Sequence, residues 1–390
     1  MKKYNIALNG LALKTNLGGI ESSYFNTVKF LTLGNPNNNY YLYIGKNSTK
    51  IFESLKKLQN LKIIVYPIDS NNSPLRVFTE HTLLFLGLIK NRIDIVHHLC
   101  NYMPRFNPCK TITTVHDLAG FFYHENFPPT KMMERFYKHM KSETGFTIKY
   151  CNRIIAISEF TKSQILKYYP YADLKKITII GQSLDSRKEF GRIKKEYLLD
   201  LNIKKPYLFS SSIVRPHKNY EFLIKTFNNL KEKYDIPHQL VIAGGMGNEM
   251  KQRRENLFLS EIERSPYNND IKYLGYTDNK YMSTLYNYAD LYITPSIYEG
   301  FGMTVLEAMK YGVPIACSNA ASLPEVGGDG CIYFDPFDIE DASEKIYSLL
   351  NNKELQNKIK SHQKERLELF SWENIAKQIN TLYQEVLEGK

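Results

Sequence analysis

Short runs of β-branched and aromatic residues alternate with helix-length segments along the whole chain of 390 residues. Strands separated by helices pair in parallel, so this alternation predicts doubly wound α/β sheets. The predicted strands form two series: Tyr4–Leu8, Tyr40–Ile44, Lys62–Tyr66, Ile93–His97, Thr111–His116, Arg153–Ile157 and Ile177–Ile180, then Tyr207–Ser210, Gln239–Ala243, Ile271–Leu274, Asp290–Thr294, Pro314–Cys317 and Cys331–Phe334. Two series in a chain too long for one ordinary core predict two Rossmann-like domains.

The strand pattern pauses in the polar stretch 181–205, which predicts the boundary between the domains. We expect the first domain over residues 1–185 and the second over 186–368. A last helix over 369–390 is predicted to start at the N-cap Ser371. Ligands of doubly wound sheets bind beyond the carboxyl ends of the strands, so we expect the site in a cleft that the two domains face.

The positive charge lies in the first half of the chain. Residues 1–180 carry a formal charge of +13, and the remainder carries −2. No helix-turn-helix, zinc-finger or RNA-binding signature accompanies this charge, so we expect no nucleic-acid partner. The basic, methionine- and aromatic-rich segment 131–141 predicts an amphipathic helix. Such a helix either lies on an anionic membrane or packs its apolar face on the core.

Secretory and membrane-spanning signals are missing from the sequence. The chain begins MKKYNIALNG with no apolar leader, and its longest apolar run, Thr82–Ile89, is far shorter than a bilayer span. The five cysteines are odd in number and lack metal-site spacing, which favours reduced thiols. We therefore expect a cytoplasmic protein, with peripheral contact to the inner membrane left open.

Two glutamates, Glu299 and Glu307, flank the loop that follows the predicted strand Asp290–Thr294. Eight residues apart, they do not share one helical face, so we expect them to hold different parts of one elongated ligand. The loop glycines and the helix N-terminus behind them favour an anion between those parts. The remaining candidate contacts in this element are Gly300, Phe301, Gly302, Met303 and Thr304.

Cations and glycines at other strand ends predict a diphosphate ligand. Arg215 and Lys218 follow one strand and can both reach a diphosphate, where they would stabilise negative charge on a leaving group. No D-x-D occurs in the chain, so we expect no metal and no cofactor. Gly18 and Gly19 precede a helix near the first strand, where backbone amides can face a phosphate.

Taken together, these motifs resemble the retaining glycosyltransferases of family 4, which have the GT-B fold. The resemblance runs from Gly18 to about Trp372. It implies that the last helix, over residues 369–390, crosses back and packs on the first domain. It implies that Glu299 holds the donor sugar and Glu307 the ribose of a nucleotide sugar. Gly245 follows the predicted strand Gln239–Ala243, where a phosphate or base of the donor could approach, and Tyr276 follows the next strand, where its backbone is expected to line the base pocket.

The same resemblance assigns His116 to the donor sugar beside the reacting carbon, and Asp117 to the acceptor side. His116, Glu299, Arg215 and Lys218 are thus the expected catalytic residues. The pattern is most similar to bacterial mannosyltransferases of surface-polysaccharide synthesis. That similarity implies GDP-mannose as donor and a glycan or lipid-linked saccharide as acceptor. A glycosyl phosphorylase, a nucleotide-sugar epimerase and a non-catalytic nucleotide-sugar-binding protein remain as alternatives.

Overall fold

The computed structural model describes residues 3–13, 18–127, 131–188, 193–246 and 251–389, and within them every side chain except those of residues 132 and 251–256. The chain divides into two compact units. Unit 1 consists of Met1–Asp185 together with Phe370–Lys390, and unit 2 consists of Ser186–Leu369. The chain therefore leaves unit 1 once and returns to it at its end.

Each unit contains a parallel sheet of the doubly wound type. The strands are β1 Asn5–Asn9, β2 Asn39–Gly45, β3 Leu61–Tyr66, β4 Ile95–His98, β5 Lys110–Val115, β6 Arg153–Ala156, β7 Ile177–Ile179, β8 Tyr207–Ser211, β9 Gln239–Ala243, β10 Ile271–Tyr273, β11 Leu291–Thr294, β12 Ile315–Ser318 and β13 Ile332–Phe334. In unit 1 the strand order is β3-β2-β1-β4-β5-β6-β7, and in unit 2 it is β10-β9-β8-β11-β12-β13. The strand order of unit 2 reverses between β8 and β11, so the motifs of Lys218 and Glu299 follow the two strands at the reversal point, where such sheets bind ligands.

Helices follow nearly every strand, so the predicted alternation and the α/β fold class are confirmed. The helices are α1 Gly19–Gly34, α2 Ser73–Thr79, α3 Phe85–Lys90, α4 Ala119–Asn126, α5 Lys131–Tyr150, α6 Glu159–Tyr168, α7 Glu196–Asp200, α8 Tyr220–Tyr234, α9 Lys251–Arg264, α10 Asn279–Tyr288, α11 Met303–Lys310, α12 Leu323–Gly327, α13 Ile339–Asn351, α14 Lys353–Leu369 and α15 Trp372–Glu388.

The last helix, α15, completes the core of unit 1. Its buried face includes Trp372, Ile379 and Leu382, which pack in one cluster with α1 and the central strands. Ser371 caps the helix as predicted, because its side chain accepts a hydrogen bond from the Asn374 amide. The predicted return of the last helix to the first domain is therefore what the structure shows.

Helix α5 uses its aromatic face for packing. Tyr137 lies edge-on to Phe121 of α4, with ring centroids 5.3 Å apart, and Met140 is packed against the same hydrophobic cluster. Phe136, in contrast, is 66% exposed. Two roles are predicted for segment 131–141, contact with a membrane or packing on the core. For Tyr137 and Met140 the structure shows packing on the core.

Two adjacent histidines at the end of β4 are fully buried in unit 1. The His97 ring is hydrogen-bonded to the hydroxyls of Tyr383 and Thr114, both at 2.7 Å. The His98 ring accepts from the Asn9 amide at 3.0 Å. Burial lowers the pKa of each histidine to about 3, because the charged ring would lose its hydration.

We expect these rings to make the protein less stable in acid. The unfolded chain takes up a proton on each histidine near pH 6.5, whereas the folded chain does not until about pH 3. Between these values the unfolded state binds more protons, so each ring removes about 1.4 kcal/mol of stability per pH unit as the pH falls. Urea titrations from pH 7 to pH 4 measure how the free energy of unfolding changes with pH. In His98→Gln this pH dependence should be weaker than in wild type by about 1.4 kcal/mol per pH unit, the contribution of one histidine. The exposed-site control His139→Gln should keep the wild-type slope, and an unchanged slope in His98→Gln would contradict the assignment.

Candidate functional site

The carboxyl ends of β8 and β11, neighbours in the sheet of unit 2, bring Lys218 and Glu299 together. Lys218 ends a 3-10 turn, Pro216–Lys218, and its ammonium forms an ion pair with Glu299 Oε1. Both side chains are only 14% exposed. The backbone amide of Ile297 donates to the His217 carbonyl at 2.8 Å and thereby ties the two loops to each other. The pair is therefore held in place and largely shielded from water.

The loop that carries Glu299 is fixed by its backbone. The Ser322 hydroxyl donates to the Glu299 carbonyl at 2.9 Å. Gly302 has φ 110° and caps the N-terminus of α11, and a Cβ there would lie 3.1 Å from Leu323 Cδ2. A residue with a side chain would be strained at this position, so the glycine is what permits the tight entry into the helix.

Glu307 lies on α11 and has two partners that the sequence did not indicate. Lys188 forms an ion pair with Glu307 Oε1, and the buried Tyr286 hydroxyl donates to Oε2 at 3.3 Å. Tyr286 is in turn hydrogen-bonded to Ser211 at the end of β8, at 2.6 Å. Glu307 is thus oriented from both oxygens and connected to the strand end that precedes Arg215.

The short turn after β8 carries the other cation, Arg215, which is exposed. Between Arg215 and Lys218 lies His217, which is buried. Burial, followed by the charges of Lys218 and Arg215, lowers the pKa of His217 to about 2. The ring is therefore neutral at ordinary pH, and the positive charge of this turn comes from the arginine and the lysine.

Glycines at the ends of β9 and β10 bring backbone close to backbone. Gly244 has φ 143°, and a Cβ there would lie 1.8 Å from the Ser212 carbonyl oxygen. The Gly245 carbonyl accepts from the Val214 amide at 3.0 Å, which holds the Arg215 turn against this loop. Tyr276, in the next loop, has a side chain that is 87% exposed. Its predicted role rests on its backbone and remains a prediction.

The remaining candidate contacts of unit 2 surround the start of α11. Phe301 is buried, and Gly300 lies half-buried beside it. Met303 and Thr304 form the first turn of the helix and are also half-buried. The predicted contacts of these residues with a ligand remain predictions.

In unit 1 the candidate residues His116 and Asp117 follow β5. His116 is 8% exposed, and its Nε2 lies 3.1 Å from the Leu99 carbonyl oxygen. A carbonyl only accepts, so Nε2 carries the hydrogen and Nδ1 is left as an acceptor. Burial lowers the pKa of His116, which keeps the ring neutral. Asp117 accepts from the Ala119 amide at 2.9 Å, a contact that starts α4.

Gly18 and Gly19 lie at the N-terminus of α1. Gly18 caps the helix with φ 55°, and a Cβ at either glycine would meet no atom of the described residues within 4 Å. The predicted contact with a phosphate remains a prediction.

Neither a metal centre nor a membrane span is found in the described part of the chain. No group of three or more His, Cys, Asp or Glu side chains there is arranged to hold a metal ion. None of the helices there combines the length and apolarity that crossing a bilayer requires.

Two family models match the chain one after the other. The model of glycosyltransferase family 4 matches residues 28–187, and the model of glycosyl transferases group 1 matches residues 193–366. The boundary between the matches falls where the two units meet in sequence.

Individual proteins are similar over most of the chain. O-antigen chain mannosyltransferase B of Escherichia coli is 28% identical over 75% of this chain and 74% of its own. The serotype-specific mannosyltransferase WbdA of Escherichia coli is 26% identical over 69% of this chain, which spans 32% of WbdA. The crystal structure of Anabaena HepE in complex with UDP and glucose has a TM-score of 0.71 at 15% identity, over 98% of this chain and 100% of that one.

Proposed function

Because the chain belongs to the glycosyltransferases of family 4, we propose that it moves a sugar from a nucleotide-sugar donor to an acceptor hydroxyl with retention of configuration and without a metal. The proposed donor is GDP-mannose, and the proposed acceptor is a glycan or lipid-linked saccharide of surface-polysaccharide synthesis. The mannosyltransferases among its relatives support the choice of mannose as the transferred sugar. The protein would act in the cytoplasm, where nucleotide sugars are available.

The observation that carries this proposal is the shielded pair of Lys218 and Glu299. A carboxylate suits the hydroxyls of a sugar, and an ammonium suits the phosphate attached to that sugar. Their contact places the two functions a few ångströms apart, as a sugar diphosphate requires. Because both side chains are largely removed from water, their interaction with developing charge is stronger than it would be at the surface.

In the proposed reaction, the bond between the anomeric carbon and the diphosphate oxygen breaks as the acceptor oxygen attacks from the same face. The proton of the acceptor hydroxyl passes to the departing diphosphate oxygen. Arg215 and Lys218 stabilise the charge that builds on the diphosphate. Glu299 orients the sugar, Glu307 holds the ribose, and the neutral His116 accepts a hydrogen bond from the sugar through Nδ1.

We expect GDP release from GDP-mannose in the presence of EDTA, with methyl α-D-mannoside as acceptor. The donor panel also contains UDP-glucose, UDP-N-acetylglucosamine, UDP-galactose and dTDP-rhamnose. The UDP sugars are included because HepE, which has a similar fold, was crystallised with UDP and glucose. Release that depends on added Mg²⁺ would contradict the role of Arg215 and Lys218. Release from a UDP donor alone would overturn the choice of GDP-mannose. Turnover that needs free phosphate, or none of the acceptor, would indicate a phosphorylase or an epimerase instead.

A further inference from the structure

The segment between β3 and β4 forms a helix that buries charged side chains and exposes large apolar ones. Helix α2, a single π-helical turn over Glu80–Leu84 and helix α3 follow one another without a break. Buried positions recur every four residues, at Arg76, Glu80, Leu84 and Leu88. This repeat is longer than the 3.6 residues of an α-helix, and the wider π turn takes up the difference.

The buried face of this helix contains its ion pair. Arg76 Nη1 lies 3.3 Å from Glu80 Oε2, and the two side chains are 9% and 3% exposed. Arg76 also donates to the Tyr102 hydroxyl. The charged groups that would ordinarily face water are therefore directed into unit 1.

The opposite face exposes large apolar side chains. Phe78 is 62% exposed and Leu86 is 60% exposed, and Leu75, Leu83 and Ile89 are exposed on the same segment. Leaving several such groups in water forfeits the free energy that their burial would provide. A contiguous apolar face of this kind marks a surface that contacts an apolar partner.

Within residues 70–93 the exposed charges have one sign. The carboxylate there is that of Glu80, which is buried, whereas Lys90 and Arg92 are exposed. Of the two flanking carboxylates, Asp69 is half-buried and Asp94 is exposed, and each accepts a hydrogen bond from a backbone amide. An apolar face bordered by cations complements a surface that is apolar within and anionic at its rim.

The loop beside the helix adds to this surface. The Arg105 amide donates to His81 Nε2 at 3.3 Å, which places this loop against the helix. The next residue, Phe106, is 68% exposed. The Arg105 guanidinium, 46% exposed, is paired with Glu143.

We propose that the segment Ser73–Lys90 docks on an anionic lipid bilayer. Phe78, Leu86 and Ile89 enter the boundary between headgroups and acyl chains, and Lys90 and Arg92 contact the lipid phosphates. This membrane contact rests on exposure and charge in unit 1, so it does not depend on the proposed reaction. It places the contact on the segment between β3 and β4 rather than on α5.

Flotation of the full chain with vesicles tests the proposal. Wild-type protein should float with phosphatidylglycerol vesicles and remain in solution with phosphatidylcholine vesicles. The double variant Phe78→Glu with Leu86→Glu should bind the anionic vesicles about 10-fold less, or weaker still. The matched control, Leu199→Glu with Phe337→Glu, changes two side chains of unit 2 that are 79% and 76% exposed and should bind like wild type.

Two further measurements keep the result decisive. Circular dichroism melting should show that both double variants fold. The rate of GDP release from GDP-mannose, with the water-soluble acceptor methyl α-D-mannoside, should be unaltered in both. Equal flotation of the two double variants would overturn the proposal, as would a wild-type protein that fails to bind phosphatidylglycerol vesicles. Light scattering that shows a wild-type dimer, converted to a monomer by Phe78→Glu with Leu86→Glu, would identify a second copy of the chain as the occupant and would also overturn it.

Discussion

Replacing Glu299 with glutamine is expected to lower the rate of sugar transfer by about 100-fold or more, within the range found when a single charge-stabilising group is removed from an active site. The amide keeps the size of the side chain but loses the charge that orients the sugar and balances Lys218. The Glu299 side chain is only 14% exposed, so water cannot replace the lost charge effectively. Initial rates of nucleotide release at saturating donor measure the effect.

The matched control for this substitution is Glu221→Gln on the exposed surface of α8. It removes the same charge from the same unit and should leave the rate unaltered. Lys218→Ala should lower the rate by a similar factor as Glu299→Gln, and the double variant should be slower by less than the product of the two factors, because the residues act as a unit. Full activity of Glu299→Gln would remove the basis of the site assignment.

Replacing Trp372 with alanine is expected to destabilise unit 1 by about 3–5 kcal/mol, the range for large-to-small changes of buried aromatic residues. The indole is 4% exposed and stacks on Phe30 with ring centroids 6.1 Å apart. Its N–H donates to the Leu184 carbonyl at 2.7 Å. The substitution therefore leaves a cavity and an unpaired carbonyl next to the segment where the chain leaves unit 1.

Urea unfolding followed by circular dichroism measures this loss, since Trp372 is the only tryptophan of the chain and its fluorescence disappears with it. Trp372→Phe keeps most of the packing and gives up the hydrogen bond, so it should cost about 1–3 kcal/mol. A loss below 1 kcal/mol in Trp372→Ala would show that α15 contributes little to the stability of unit 1.

The sequence predicts the architecture well because the relevant signals are local. Alternation of strand and helix patterns depends on neighbouring residues, and the N-cap at Ser371 depends on a hydroxyl three residues before an amide. The family model matches cover residues 28–187 and 193–366 and are in line with the predicted fold class. Strand ends differ from the predicted ones by a residue or two, as at His98 and Ser211.

Local sequence patterns could not predict the partners of the site residues, because these partners lie far away along the chain. Lys188 meets Glu307 across 119 positions, and nothing in the local sequence distinguishes it from other lysines of the same polar stretch. The sequence shows the apolar run from Thr82 to Ile89, but it does not show which of these side chains face water and which face the core. Which side of that helix faces water depends on the π turn and on the buried pair of Arg76 and Glu80, which only the folded chain reveals.

The most direct test of the account is calorimetric titration of GDP and GDP-mannose into the protein in EDTA. Wild-type protein and the exposed-lysine control Lys225→Ala should bind both ligands equally well without metal. Lys218→Ala should bind both at least about 10-fold more weakly, because one ammonium contact with a diphosphate is lost. Undiminished binding by Lys218→Ala, or binding by wild type that appears only when Mg²⁺ is restored, would contradict the account.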